Sequence, residues 1–411
     1  MKNRIIQLLQ TTTKFLTRCT IWRYRPGIVG VTGSVGKTST KMAITAVLSS
    51  ERRVRPSPSN FNNELGLPLS VLSSEEEIKG KLFWIKILFG SLWRIIRRGP
   101  YPEILVLEYG IDKPGDMKYL LSIARPMISV MTEVSPVPPH VEFFENTQAL
   151  LREKGRIIEQ LPVGGYAVLN FDSELVMSLR ERTRGHVITY GFNKEADVRL
   201  SAYDIRIENG RATGITFKIE YGGSFVPVRL DNMFGRTHCY AAGAAAAVGI
   251  SLGMNLVKIS EALMRGYEPP KHRLQLLPGI KETFILDDAY NASPSSMRAG
   301  LETLKEIPAK RKVAVLGDML EIGEYAMAAH EEIGVMVEDV ATLLITIGPR
   351  AKFIAEGARQ AGFNKKNIWS FDTADEARAT VQEVIKKGDL ILIKGSHAMQ
   401  LEKIVEEIQA F

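Results

Sequence analysis

One segment constrains the fold of this chain more than any other: Gly30-Val-Thr-Gly33-Ser34-Val35-Gly36-Lys37-Thr38-Ser39, set between the apolar run Ile28–Thr32 and a helix-compatible stretch. Glycines at this spacing let the backbone curl until successive N–H groups face one point, to which the following helix adds the positive end of its dipole. Lys37 supplies a neutralising cation, and the Thr38 hydroxyl is within reach of Mg²⁺. The strict Gly-x4-Gly-Lys spacing is not kept, because Val31 stands where its first glycine belongs; the chain holds Gly-x2-Gly-x2-Gly-Lys instead. A glycine-rich turn with an exposed lysine would need none of this context. The strand-loop-helix setting predicts a nucleotide-phosphate site from Gly33 to Ser39 and a parallel α/β sheet around it.

The rest of the chain extends that pattern. At 411 residues it holds two or three domains. Apolar runs at Ile28–Thr32, Ile104–Glu108, Met127–Thr132 and Tyr166–Asn170 are separated by helix-length segments, as in a parallel sheet. From Val198 to Leu230 the texture turns to alternation, with turn signals at Asn209-Gly210 and Gly222-Gly223, which predicts a small antiparallel sheet attached to the main one. An Ala-rich helix follows, Tyr240 to Leu252, and then a proline-bearing linker, Tyr267-Glu-Pro-Pro-Lys-His272. Beyond it, Thr283–Leu286, Val313–Leu316, Leu343–Ile347 and Leu390–Ile393 alternate with helical segments such as Ala328–Val340 and Ala374–Lys386. The expected division is a basic amphipathic helix over 1–26, an ATP-binding α/β domain over 27–268 and a doubly wound, Rossmann-like domain over 269–411.

Charge and cysteine content exclude several classes. The net charge is +7, from 53 Lys and Arg against 46 Asp and Glu, yet there is no dense basic tract and no nucleic-acid-binding signature, so nucleic acid is not expected as a partner. The only cysteines, Cys19 and Cys239, form no pair of the kind a zinc ribbon or disulfide framework needs. Residues 1–25 mix basic and apolar side chains without a continuous apolar core or a cleavage site, so a secretory signal is not expected. The segment packs on the first domain or lies on a membrane surface. Residues 78–98 are richer still in Trp, Phe, Leu and Ile, but Lys86 and flanking cations interrupt them well short of the roughly 20 apolar residues a bilayer core requires. Here too two readings stand, a helix packed on its own domain and an interfacial helix against anionic lipid.

From the phosphate loop onward the chain resembles the Mur ligase family, the ATP-dependent enzymes that add amino acids to peptidoglycan precursors. Asn60-Phe-Asn62-Asn63-Glu64-Leu-Gly66-Leu-Pro68 is similar to the family's Asn-rich substrate loop, and Val106-Leu-Glu108-Tyr-Gly110 to its acidic strand end. Asp287-Asp288-Ala-Tyr290-Asn291-Ala-Ser293-Pro294, Val315-Leu-Gly317-Asp318-Met319-Leu-Glu321 and Lys394-Gly395-Ser396 resemble the branch that joins D-alanyl-D-alanine to a UDP-muramoyl tripeptide. The resemblance implies a cytoplasmic amide ligase that phosphorylates a small-molecule carboxylate with ATP and lets an amine attack the acyl phosphate. Such chemistry needs metal among converging anions and a nucleophile held in line. By the same resemblance Thr38, Glu108, His140 and Lys154 are expected to hold two Mg²⁺ ions. Lys154 is expected as a carbamate, Arg273 and Asp288 reach the nucleotide from the second domain, and Asn60, Asn62, Asn63, Asn291, Lys394 and Ser396 face substrate.

Three departures narrow what carries over. The family's UDP-gripping domain usually takes about a hundred residues ahead of the phosphate loop, and fewer than about thirty stand there in this sequence; the donor is then held otherwise, or is a different, lipid-linked carboxylate. Gly235-Arg-Thr-His238-Cys239-Tyr-Ala-Ala242 replaces a His-Asn-x-x-Asn pattern near the adenine, and extra residues precede His140 in Thr132-Glu-Val-Ser-Pro-Val-Pro-Pro-His140. Two alternatives are carried. One is a folylpolyglutamate- or poly-amino-acid-type ligase; the other is a nucleotide-binding scaffold at the membrane that has lost catalysis.

Overall fold

The structure is a computed structural model that describes residues 2–58, 61–73 and 80–410. Its first sheet is built on strands whose residues are buried on both faces, as in β3, where all five are apolar or end in Glu108. β1 (Gly27–Thr32), β2 (Val54–Pro56), β3 (Ile104–Glu108), β4 (Ile128–Met131), β5 (Tyr166–Asn170) and β6 (His186–Gly191) run parallel, and β7 (Val198–Glu208), β8 (Arg211–Tyr221) and β9 (Ser224–Asp231) follow as an antiparallel meander. The order is β2-β3-β1-β4-β5-β6-β7-β8-β9. The alternating segment is therefore antiparallel and attached to the main sheet, as the sequence predicts. β7 pairs in parallel with β6 at Tyr190↔Val198 and Gly191↔Arg199, which continues the ladder through nine strands. β9 keeps the half-buried alternation of a sheet with one solvated face.

Helices cover both faces. α1 (Lys2–Tyr24), α3 (Gly66–Leu72), α4 (Gly80–Arg97), α5 (Asp116–Ile123) and α6 (Thr147–Glu159) occupy one side, with the short α7 (Glu174–Met177); α2 (Lys37–Ser49), α8 (Arg236–Ser251) and α9 (Leu256–Gly266) occupy the other. α8 begins four residues earlier than its Ala-rich run, and its buried alanines, Ala241, Ala242 and Ala244 through Ala247, allow α2 to lie close beside it. α1 and α4 meet over α3, where Leu16, Phe61, Leu69, Leu72, Phe83 and Ile87 form one buried cluster. Both helices thus pack on their own domain and also keep large apolar side chains in solvent. Among the described residues no helix is long and apolar enough to cross a membrane.

The second sheet has the order β10-β11-β15-β12-β13-β14, with β10 (Gln275–Gly279) as an antiparallel edge on β11 (Thr283–Asp288), and β12 (Lys312–Gly317), β13 (Leu343–Ile347), β14 (Ile368–Phe371) and β15 (Leu390–Lys394) parallel. α10 (Pro294–Glu306), α11 (Ala326–Glu338), α12 (Lys352–Gln360), α13 (Ala374–Val384) and α14 (Glu402–Ile408) flank it. Because β15 lies between β11 and β12, the strand order reverses there, and the crevice beyond the carboxyl ends of such strands is where open α/β sheets take ligands. Asp288 and Lys394 face each other in register at that point. Between the sheets, Tyr267 to Leu274 forms neither helix nor strand, and His272 and Leu274 take positive φ of 59° and 50°.

Candidate active site

The phosphate loop is braced by the end of β4. The Ser34 N–H donates to Glu133 O at 2.6 Å, and the Thr132 hydroxyl donates to Val35 O at 2.7 Å. Gly33 has φ 145°, and a Cβ there would lie 1.9 Å from Thr132 Oγ1, so no other residue fits. Gly36, at φ 81°, turns the chain into α2. Ser34 Oγ is buried without a partner, a donor that phosphate oxygens would satisfy. Ser34, Val35, Gly36 and Ser39 line a cavity whose opposite wall comes from the second half of the chain: Arg273, Asp288, Asn291 and Lys394.

Behind the loop lies a buried charge cluster. Glu108, at the end of β3, accepts from Thr38 Oγ1 on Oε2 at 3.1 Å and from Asn62 Nδ2 on Oε1 at 3.2 Å, and Lys41 Nζ stands 3.4 Å from the same Oε2. Burial pushes the Glu108 carboxyl up, but Lys41 and Lys37 together hold it below the usual carboxylate range. Lys37 donates to Gly33 O at 3.1 Å and Ser34 O at 3.3 Å; burial lowers its pKa against the pull of Glu108. Lys154, on α6, donates to the same Gly33 O at 3.0 Å. Burial, then the Lys37 charge, push it well below the ordinary lysine value, which favours the neutral amine that carbamylation requires. Lys41 escaped the sequence reading. Its signal was available, since it lies four residues after Lys37 and so on the same face of α2.

The second half contributes a paired cation and a stacked one. Lys394 Nζ is 2.6 Å from Asp288 Oδ2 and donates to Asn291 O at 2.9 Å; burial raises the Asp288 pKa against the Lys394 charge. The Arg273 guanidinium lies over the Tyr290 ring, 4.1 Å from its centroid. Arg273 is also held through its backbone. His238 Nε2 is 3.2 Å from Arg273 O, an acceptor, so this nitrogen carries the proton and Nδ1 accepts from Tyr267 Oη at 2.8 Å. Ser39 hydrogen-bonds the Tyr267 hydroxyl in turn. A chain of hydrogen bonds thus runs from α2 to the backbone of Arg273, and burial lowers His238 to about 4, keeping it neutral. His238 belongs to the segment where the family pattern has its asparagines; with Thr237 it forms part of the cavity wall.

Several expected site residues are placed otherwise. His140, at φ 69°, sits with Nδ1 2.9 Å from Glu321 Oε2 and 3.7 Å from Asp112 Oδ1, a contact that joins the two halves. Among the described residues no group of three His, Cys, Asp or Glu side chains gathers to hold a metal. Asn63 Oδ1 accepts from Leu65 N at 3.3 Å and Gly66 N at 2.9 Å, so it turns the chain into α3, leaving Asn62 to reach Glu108. Ser396 Oγ is taken by the Leu320 N–H at 2.9 Å. Asn60 lies outside the described residues.

Comparison with known proteins places this geometry. Residues 95–249 match the Mur ligase middle domain, and residues 272–397 match the Mur ligase, glutamate ligase domain. The UDP-N-acetylmuramoyl-tripeptide–D-alanyl-D-alanine ligase of Bacillus subtilis (strain 168) is 31% identical over 383 residues, which cover 93% of this chain and 75% of that protein. The MurF ligase of Thermotoga maritima, solved in complex with ADP, is 26% identical with a TM-score of 0.77, covering 97% of this chain and 83% of that one. A MurF structure from Acinetobacter baumannii, at 22% identity and TM-score 0.79, covers 97% and 79% and shares the fold.

Proposed function

This chain belongs to the Mur ligase family, and we propose that it is an ATP-dependent ligase that joins D-alanyl-D-alanine to a muramoyl-peptide carboxylate in the cytoplasm. The observation that carries this reading is the shared cavity, in which Ser34 to Ser39 of the phosphate loop face Arg273, Asp288 and Lys394 from beyond the linker. ATP bound on the loop has its γ-phosphate turned toward a second set of cations. The donor carboxylate attacks that phosphorus, ADP leaves, and the amine of the acceptor then displaces phosphate from the acyl carbon. Lys37 and Arg273 meet the charge that grows on the transferring phosphoryl oxygens. The positive-φ residues at 272 and 274 are the hinge on which the halves close, excluding water from the acyl phosphate.

The residues present fit Mg²⁺ beside the nucleotide. Thr38 and Glu108 supply hard oxygen donors next to the loop, and the ion would neutralise phosphate charge there. His140 has Nδ1 on Glu321, so Nε2 is the nitrogen that would join a second ion, with Glu321 orienting the ring. A carbamate on Lys154 would turn a buried amine into an oxygen donor, and its position on Gly33 O suits that change. Peripheral membrane contact through residues 78–98, of which 78 and 79 lie outside the described residues, fits a substrate that is made or consumed at a bilayer. The folylpolyglutamate-type alternative finds less support, since the sequence relatives at 28–31% identity are named for the D-alanyl-D-alanine reaction, whereas a folylpolyglutamate synthase is alike in fold at 16% identity.

Mass spectrometry tests the reading. Purified protein incubated with Mg²⁺-ATP, UDP-muramoyl tripeptide and D-alanyl-D-alanine should give a product equal to both substrates minus water, absent with Lys37→Ala. ATP turnover without that product would overturn the substrate assignment.

A further inference from the structure

The outer face of α1 and α4 remains unexplained by ligase chemistry. On α4, Ile85, Phe89, Leu92, Trp93 and Ile96 recur every three or four residues and are all exposed, Phe89 by 70% and Ile96 by 65%. On α1, Leu8, Phe15 and Trp22 recur every seven, with Trp22 73% exposed. The two helices are neighbours: Arg23 Nε donates to Ile95 O at 3.3 Å and the Tyr24 hydroxyl to Arg94 O at 2.7 Å. Each turns its buried stripe onto α3 through Leu16, Phe83 and Ile87, so both apolar stripes look outward. Monomeric soluble proteins seldom gather so many exposed large apolar side chains on neighbouring helices.

Charge selects the occupant. α1 carries five Lys or Arg and α4 four, with no Asp or Glu in either, whereas the whole chain has a net charge of +7; the remaining residues together are net negative. Arg18, Arg25 and Arg98 are exposed around the stripes, and the Arg97 guanidinium lies 4.5 Å from the Trp93 ring centroid. A second copy seated on this face would set two such basic surfaces against each other. An anionic bilayer satisfies both features at once, accepting Trp, Phe, Leu and Ile below its headgroups and Arg and Lys among them.

We infer that the α1–α4 face docks this protein on the surface of an anionic lipid bilayer. The docked face adjoins the site through Phe61, which belongs to the cluster beneath the two helices, while the next residue, Asn62, hydrogen-bonds Glu108. Seating the helices on lipid therefore fixes the Asn-bearing loop close to the bilayer. The inference concerns binding alone and stands whether or not the ligase substrate is the one proposed.

Vesicle sedimentation tests it on the full chain, with phosphatidylcholine alone and with about a quarter phosphatidylglycerol. Binding to the anionic vesicles should be at least about tenfold tighter and should weaken in about 0.5 M NaCl. Phe15→Glu with Phe89→Glu should lower it by about tenfold or more while melting temperature and ATP turnover stay unchanged. Arg18→Glu with Arg98→Glu, which leaves the apolar stripes whole, should remove the preference for anionic lipid. Equal or absent binding to the two vesicle types overturns the inference, as does a vesicle-independent dimer in ultracentrifugation that the Phe15→Glu, Phe89→Glu variant dissociates.

Discussion

His238 should make the stability of this protein fall with acid in a way one substitution can isolate. Its Nδ1 accepts from the Tyr267 hydroxyl, its Nε2–H donates to Arg273 O, and burial lowers its pKa to about 4 from the ordinary 6.5. The unfolded chain takes up a proton near the ordinary value and the folded chain does not. The stability that neutral His238 contributes is therefore complete above pH 6.5 and is lost as pH falls toward the folded value. At pH near 5 the loss is about 2 kcal/mol relative to pH near 7.5. Urea unfolding at the two pH values, for the wild type and for His238→Gln, measures it. The wild type should be the more stable at the higher pH, and its lead should shrink by about that amount at the lower one. An equal acid sensitivity in both proteins would refute a buried, neutral histidine holding the Arg273 backbone.

Three further substitutions probe the charge cluster. Lys37→Ala should cost about 4 kcal/mol of transition-state stabilisation, roughly a thousandfold in kcat/KM for ATP turnover, and an unchanged rate would contradict its role. Lys41→Met strands the Glu108 carboxylate in the interior and should lower stability by about 3–5 kcal/mol; adding Glu108→Gln should restore most of the loss in thermal unfolding, which a purely packing role for Lys41 would not allow. Lys154→Met removes a cation that burial already disfavours, so folding stability should hold or rise while ligase turnover falls at least about a hundredfold. Incubation with ¹³C-bicarbonate should give a carbamate resonance in the wild type that the variant lacks.

What the sequence disclosed of this site follows from how local each feature is. The phosphate loop is a run of adjacent residues whose glycines answer to backbone geometry, so Gly33, Gly36 and Lys37 were legible from spacing alone. Glu108 was legible because it ends an apolar strand in a run that resembles the family's acidic strand end. Lys394 and Asp288 are separated by more than a hundred residues, and their pairing arises only because β15 inserts beside β11; no local pattern encodes that. The same holds for the Ser39, Tyr267, His238 and Arg273 chain, which draws on α2, the end of α9, α8 and the hinge. His140 went to Glu321 because the second half of the chain brings a carboxylate to it. In the fold, the strands with continuous apolar runs were evident, whereas short or partly exposed ones such as β2 and β14 were not.

In the proposed reaction the two halves together transfer phosphate to a carboxylate. That step is tested most directly by isotope transfer. With the muramoyl-peptide donor labelled with ¹⁸O in its reacting carboxylate, turnover with ATP and D-alanyl-D-alanine should release inorganic phosphate carrying one ¹⁸O, because the attacking carboxylate oxygen leaves with the phosphoryl group when the amide forms. Phosphate released without label would mean that water, not the carboxylate, attacks ATP in this cavity.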